Sequence, residues 1–167
     1  MENQKNYNER SAGGIVYRLI ENQICWLLIK TLSKKSLSRF GGIGHKTAYK
    51  FPKGHLLSDE SLKPAALREV EEEGGVRAKI VAKIGSNDYI LWDKNSDSKI
   101  IKKVTFFLME YSQDSDLKYS DREIVLKREW LIFEEALKKL SYSSEKILFK
   151  KAASKLNSLL KSSKSVK

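Results

Sequence analysis

The sequence predicts an α/β domain, on three observations. Segments rich in β-branched and aromatic residues recur between polar turns, as strands do. A helical segment with matching start and stop signals interrupts them after the second. A lysine-rich C-terminal stretch carries apolar residues at helical spacing. With 167 residues, 41% of them apolar, the chain has material for one ordinary packed core.

Residues 1–10 are polar and expected to be loosely held. Residues 11–18 and 24–30 read as two strands, and the turn-prone Glu21-Asn22-Gln23 between them suits a hairpin. From 31 to 50 the apolar periodicity disappears and the cluster Gly41-Gly42-Ile43-Gly44 intervenes, which reads as a long basic loop. Loops of that length in a compact domain are usually functional.

Residues 62–73 read as a helix. Ser61 can cap its N-terminus, Pro64 falls in the first turn where backbone N–H groups lack an intrahelical acceptor, and Gly74-Gly75 supply a left-handed stop. Strands are expected at 78–84, 88–92 and 104–111, divided by a polar turn at 93–98, with a second polar loop over 112–121. After Trp130-Leu131-Ile132 come a short helix over 133–140 and a longer one over 144–160. In the longer helix Leu148, Ala152, Leu156 and Leu159 form one apolar stripe. The domain is therefore expected to span 11–160, with 161–167 as a flexible basic tail.

Lys and Arg total 32 against 21 Asp and Glu, a net charge of +11. The excess lies in two blocks: residues 30–53 hold seven bases and no acid, and residues 138–167 hold nine bases and one acid. Between them, residues 54–76 hold six acids and two bases. A basic balance invites a nucleic-acid or membrane-surface reading. Where the charge sits decides whether to accept it, and here an acidic segment follows directly on the first basic block. The single Cys25 sits in the apolar run Ile24-Cys25-Trp26-Leu27-Leu28-Ile29, so it can form neither an intrachain disulfide nor a cysteine metal cluster. That six-residue run is far short of the roughly 20 apolar residues of a membrane helix, and the first residues lack a signal-peptide apolar region. A soluble, cytoplasmic protein is expected.

The informative segment is the acidic helix. Glu69, Glu72 and Glu73 stand at i, i+3 and i+4, which places three carboxylates within one turn of one face. Like charges at that spacing repel, and the helix C-terminus disfavours anions. A merely solvated face would interleave lysine or arginine. A hard divalent cation such as Mg²⁺, which takes oxygen ligands and keeps exchangeable waters, resolves the conflict.

The surrounding pattern is Gly54, five residues, Glu60, seven residues, Arg68-Glu69-Val70, one residue, Glu72-Glu73, one residue, Gly75-Val76. This resembles the Nudix box, G-x5-E-x7-R-E-U-x-E-E-x-G-U with U aliphatic, at every defined position. Such a match arises by chance roughly once in a billion start positions at average residue frequencies. The resemblance implies a Nudix-like α/β/α sandwich with a mixed central sheet and a pyrophosphohydrolase acting on a nucleoside diphosphate linked to a further group. It implies Mg²⁺, with Mn²⁺ as a substitute. Glu69, Glu72 and Glu73 match the metal-binding and base-forming glutamates, and the Gly54 carbonyl matches a further oxygen ligand. Arg68 matches the arginine that orients the carboxylates, and Glu60 the acid paired with it. Val70, with Ala66 and Leu67, is expected to form a buried flank opposite the acidic stripe.

Glu69 is the first choice for general base, with Glu72 and Glu73 mainly holding metal. Some members of the family use a glutamate from a later loop. Glu123 is that candidate, with Glu129 as its alternative. Tyr49-Lys50-Phe51-Pro52-Lys53-Gly54-His55 resembles the W-x-F-P-K-G-H approach to the box in dinucleoside and diphosphoinositol polyphosphate hydrolases, with Tyr49 where Trp is commoner. That likeness makes Lys53 a phosphate contact. Lys102-Lys103-Val104-Thr105-Phe106-Phe107-Leu108 resembles the K-x-V-x-Y-F-L strand of the same branch and points to Lys103. Among Tyr89, Trp92 and Tyr142, Tyr142 is the aromatic placed to meet a base. His45 and His55 are not spaced as metal ligands, and local hydrogen bonding is their expected role.

The leading substrate class is the dinucleoside polyphosphates, such as diadenosine tetraphosphate. Alternatives are a nucleoside triphosphate pyrophosphohydrolase or one acting on RNA 5′ ends, the latter supported only by the C-terminal lysines. A non-catalytic Nudix-fold nucleotide-binding module is the alternative of another class, although boxes of that kind usually lose a glutamate and this one keeps all three.

Overall fold

A computed structural model of the chain describes residues 9–32, 47–93, 98–117 and 124–164. The described chain begins with strands β1 (Glu9–Ile20) and β2 (Gln23–Leu32), which form the expected hairpin. Glu21 and Asn22 both take positive φ, 47° and 64°, the backbone of a two-residue turn whose twist matches the strands it joins. Part of the segment expected to be loop is strand: β2 runs on to Leu32, and β3 (Thr47–Lys50) pairs antiparallel with it. The glycine cluster and His45 lie outside the described residues.

Strand β4 (Lys53–His55) leads to helix α1 (Leu62–Gly74). Ser61 takes the N-cap position without a side-chain cap bond, and Gly75, at φ 69° and ψ 24°, ends the helix in the left-handed region as expected. The segments expected as two strands at 78–84 and 88–92 are one, β5 (Val76–Asp93), antiparallel to β6 (Ser98–Asp114). Register shifts after Arg77, Ile80 and Lys83 bend the pair without breaking it. Strand β7 (Ile124–Leu131) precedes helices α2 (Phe133–Lys139) and α3 (Ser143–Lys164), the latter continuing past residue 160.

The sheet runs β3-β2-β1-β6-β5, with β4 paired to β1 and β7 to β2. Its one parallel pairing among the described residues is β1 with β6, so the sheet is mixed. Helices cover both faces. On one, Ala65, Ala66 and Val70 of α1 pack with Ala12, Val16, Leu27, Phe107 and Met109. On the other, Leu148, Phe149, Ala152 and Leu156 of α3 pack with Ile15, Trp26, Leu28, Phe51 and Phe106. Burying each of these large side chains stabilises the fold by about 1.5–3 kcal/mol relative to exposure. Leu159, expected in the same stripe, is 38% exposed, because α3 by then has passed the edge of that cluster. Among the described residues no helix is long and apolar enough to cross a membrane.

Candidate active site

Helix α1 presents its acids differently from the expected arrangement of an apolar flank opposite an acidic stripe. Its buried residues are Ala65, Ala66, Glu69, Val70 and Gly74, while Leu67 is 36% exposed. At 100° per residue Leu67 falls outside the sheet-facing arc, and Glu69 falls inside it. The first carboxylate of the cluster is thus tucked against strand β4. There Gly54 meets it: a side-chain carbon at residue 54 would overlap the Glu69 carboxylate. Only glycine leaves that space.

Arg68 organises the neighbouring charges. Its Nε donates to Glu60 Oε1 and its Nη2 to Glu60 Oε2, both at 2.9 Å, a bidentate pairing. Nη2 also donates to the His55 carbonyl at 2.9 Å, and Nη1 to Glu69 Oε1 at 2.7 Å and Glu72 Oε2 at 3.1 Å. One guanidinium therefore joins the loop after β4 to two of the three clustered glutamates. The third, Glu73, accepts the backbone N–H of Lys53 through Oε2 at 2.9 Å. Glu71 stands apart, held by Arg77 and Ser115 at 2.7 Å each. Arg128 Nε donates to the Glu73 carbonyl at 2.8 Å and so satisfies an orphan acceptor at the end of α1, whose last turn contains no base.

The electrostatics follow from this geometry. Hydrogen bonds from Arg68 draw the Glu60 carboxyl below the usual carboxylate range. Burial pushes Glu69 the other way, against the pull of Arg68 and with a smaller push from Glu72. Glu69 Oε1 is engaged by Arg68, and the side chain as a whole is 10% exposed. Among the described residues no group of three or more His, Cys, Asp or Glu side chains is gathered closely enough to hold a metal ion. Here Arg68 takes the charge of Glu69 and Glu72. The donor set is nonetheless all oxygen, with a glycine where a side chain would crowd the buried carboxylate, and such a set fits a hard divalent cation.

Around this centre the other candidates lie as follows. Lys53 opens β4; its side chain is 18% exposed, with Nζ 3.7 Å from Glu145 Oε1. Lys103 lies on β6 opposite Arg10 and Asp88, and its neighbour Lys102 places Nζ 3.2 Å from His55 Nε2. His55 Nε2 is also 3.1 Å from Glu9 Oε2, so His55 has the local hydrogen bonding expected of it. Tyr142 is 40% exposed at the head of α3, beside Ser141, which bonds twice to Tyr49 of β3. Tyr89 contacts Ser144 Oγ at 3.3 Å. Glu123 lies outside the described residues. Glu129, its alternative, is turned towards α2: the neighbouring Trp130 packs on the α1 side, and Glu129 pairs with Lys127 at 2.8 Å and with Lys139 of α2 at 3.0 Å. Sequence reasoning missed Glu145, fully buried in the first turn of α3, and Lys102, for which the Lys102-Lys103 doublet was the available signal.

Comparison with known proteins matches the NUDIX domain profile over residues 15–151. The chain belongs to the NUDIX family. Among curated relatives it is 28% identical over 144 residues to the Mycobacterium tuberculosis protein named "Putative mutator protein MutT4", covering 86% of this chain and 54% of that protein. It is 35% identical over 86 residues to Nudix hydrolase 4 of Arabidopsis thaliana, covering 52% of this chain and 39% of the relative. The chain thus spans about half or less of the length of these NUDIX relatives. A crystal structure of a C. elegans Ap4A hydrolase binary complex superposes with a TM-score of 0.57 at 20% identity, over 90% of this chain and 98% of that one. That likeness establishes the shared fold, an α/β Nudix-like architecture with a mixed central sheet flanked by helices.

Proposed function

We propose that this NUDIX chain hydrolyses pyrophosphate bonds in nucleoside diphosphates linked to a further group, with dinucleoside polyphosphates as the leading substrate class. One observation carries the reading. The intact box is folded into a single charge network in which Arg68 holds Glu60, Glu69 and Glu72 while the Lys53 amide holds Glu73.

Glu69, Glu72, Glu73 and the Gly54 carbonyl would hold Mg²⁺ or Mn²⁺. When bound, the cation neutralises polyphosphate charge and acidifies water. The chain's own residues supply the rest. Arg68 keeps the carboxylates from splaying apart under mutual repulsion, and its bidentate grip on Glu60 fixes its own orientation. Glu69 accepts the proton from the attacking water at Oε2, the oxygen that Arg68 leaves unbonded, and its burial favours proton acceptance. Lys53 and Lys103 contact polyphosphate, and exposed Tyr142 meets a base. Glu123 is the alternative base.

The fold shared with a C. elegans Ap4A hydrolase and the Lys53-Gly54-His55 approach to the box support the dinucleoside polyphosphate class. The test is a product assay with Mg²⁺ over diadenosine tetraphosphate, nucleoside triphosphates, ADP-ribose and 5′-triphosphorylated RNA. The expected result is a kcat/KM for diadenosine tetraphosphate at least about tenfold above the others. Preference for triphosphates or RNA would reassign the substrate. No turnover of any member with Mg²⁺ or Mn²⁺ would favour the non-catalytic nucleotide-binding module.

A further inference from the structure

Six of the seven charged residues of helix α3 are lysines, yet its first turn buries an acid completely. Glu145 is 0% exposed. A carboxylate that deep costs several kcal/mol unless paired. Its Oε2 accepts the Phe51 backbone N–H at 3.0 Å. Its Oε1 has no hydrogen-bond partner and faces Lys53 Nζ at 3.7 Å. Lys50, only 4% exposed, adds a second positive charge nearby. The carboxylate is therefore set between two lysines that flank the segment it also bonds through the backbone.

That segment leads into the site. Lys53 donates its N–H to Glu73, and the next residue, Gly54, abuts the Glu69 carboxylate. Lys53 thus has α3 behind it and α1 in front, with the ammonium on one helix's acid and the amide on the other's.

We infer that Glu145 is a positioning residue for the site, holding Lys53 from behind through the ammonium and residues 51–53 through the Phe51 amide. The inference rests on the proposed hydrolase reading. Glu145 does not touch substrate; it determines where Lys53 presents its charge and, through the Lys53 amide, where the Glu73 carboxylate stands. A carboxylate serving only to cap α3 would have no need of Lys53.

A double-mutant cycle separates these roles. Glu145→Gln keeps an oxygen for the Phe51 amide and removes the charge; Lys53→Met removes the ammonium and keeps the amide. Both singles and the double are assayed with diadenosine tetraphosphate and Mg²⁺, with urea denaturation to establish that each is folded. Each single should lower kcat/KM at least about tenfold, and the double should fall no further than the weaker single. Glu145→Asp, which keeps the charge on a shorter arm, should recover part of the loss. If Glu145→Gln fails to fold, Glu145→Asp and its double with Lys53→Met provide the same comparison. Losses that multiply in the double, or a folded Glu145→Gln protein with wild-type kcat/KM, would overturn the inference and leave the hydrolase reading intact. A wild-type protein inactive on every substrate of the panel would overturn both.

Discussion

Arg68 and Glu60 are joined by two hydrogen bonds of 2.9 Å from Nε and Nη2, and this pair anchors the side chain that restrains Glu69 and Glu72. Lysine cannot reproduce it, having one rotatable ammonium in place of a planar fork. Arg68→Lys should therefore lower stability by about 1–3 kcal/mol, measured by urea unfolding, and lower turnover as Glu72 loses its partner. Unchanged stability would show that the fork is dispensable.

Gly54→Ala should remove activity by a different route. The added carbon would overlap the Glu69 carboxylate, so either Glu69 or β4 must move. Overpacking of this kind costs about 1–3 kcal/mol, and turnover should fall at least about tenfold because the displaced group is the buried acid of the site. Turnover measured beside a thermal melt distinguishes displacement from unfolding.

Acid should loosen the β7–α2 contact. Lys127, with Tyr49 and Lys139, draws the Glu129 carboxyl from an ordinary 4.5 to about 2. A carboxyl lowered in the folded state contributes stability that is complete above its unfolded value and is lost as pH falls through the folded value. Unfolding free energy measured from pH 6 to pH 2 should thus decline more steeply below pH 4.5 in the wild type than in Glu129→Gln. Parallel curves would mean that the pair contributes nothing.

Helix α1 is legible in the sequence because each of its signals is local: Ser61 before it, Gly75 in the left-handed region after it, and acids at fixed spacing within it. The inward turn of Glu69 is not legible, since an acid at that spacing reads as part of a stripe opposite the buried flank until Gly54 is seen to leave room for it. Strand β7 is obscured by the run Lys127-Arg128-Glu129, where charges interrupt the alternation; each is accommodated by a partner from another element or from its own strand. The parallel pairing of β1 with β6 joins segments about ninety residues apart and has no local signal. Glu145 is hidden for the opposite reason from Glu69's neighbours: it is one acid among lysines, and only the fold brings Phe51 and Lys53 to it.

The proposed metal-dependent hydrolysis falls to the clustered glutamates of α1. Its most direct measurement is Mg²⁺-dependent release of nucleotide products from diadenosine tetraphosphate by the wild type and by Glu73→Gln, each with and without chelator. That role for the glutamates requires turnover by the wild type that chelator abolishes and Mg²⁺ restores, and a loss of about a hundredfold or more in Glu73→Gln with its melting transition retained. A folded Glu73→Gln protein that turns over at the wild-type rate would contradict it.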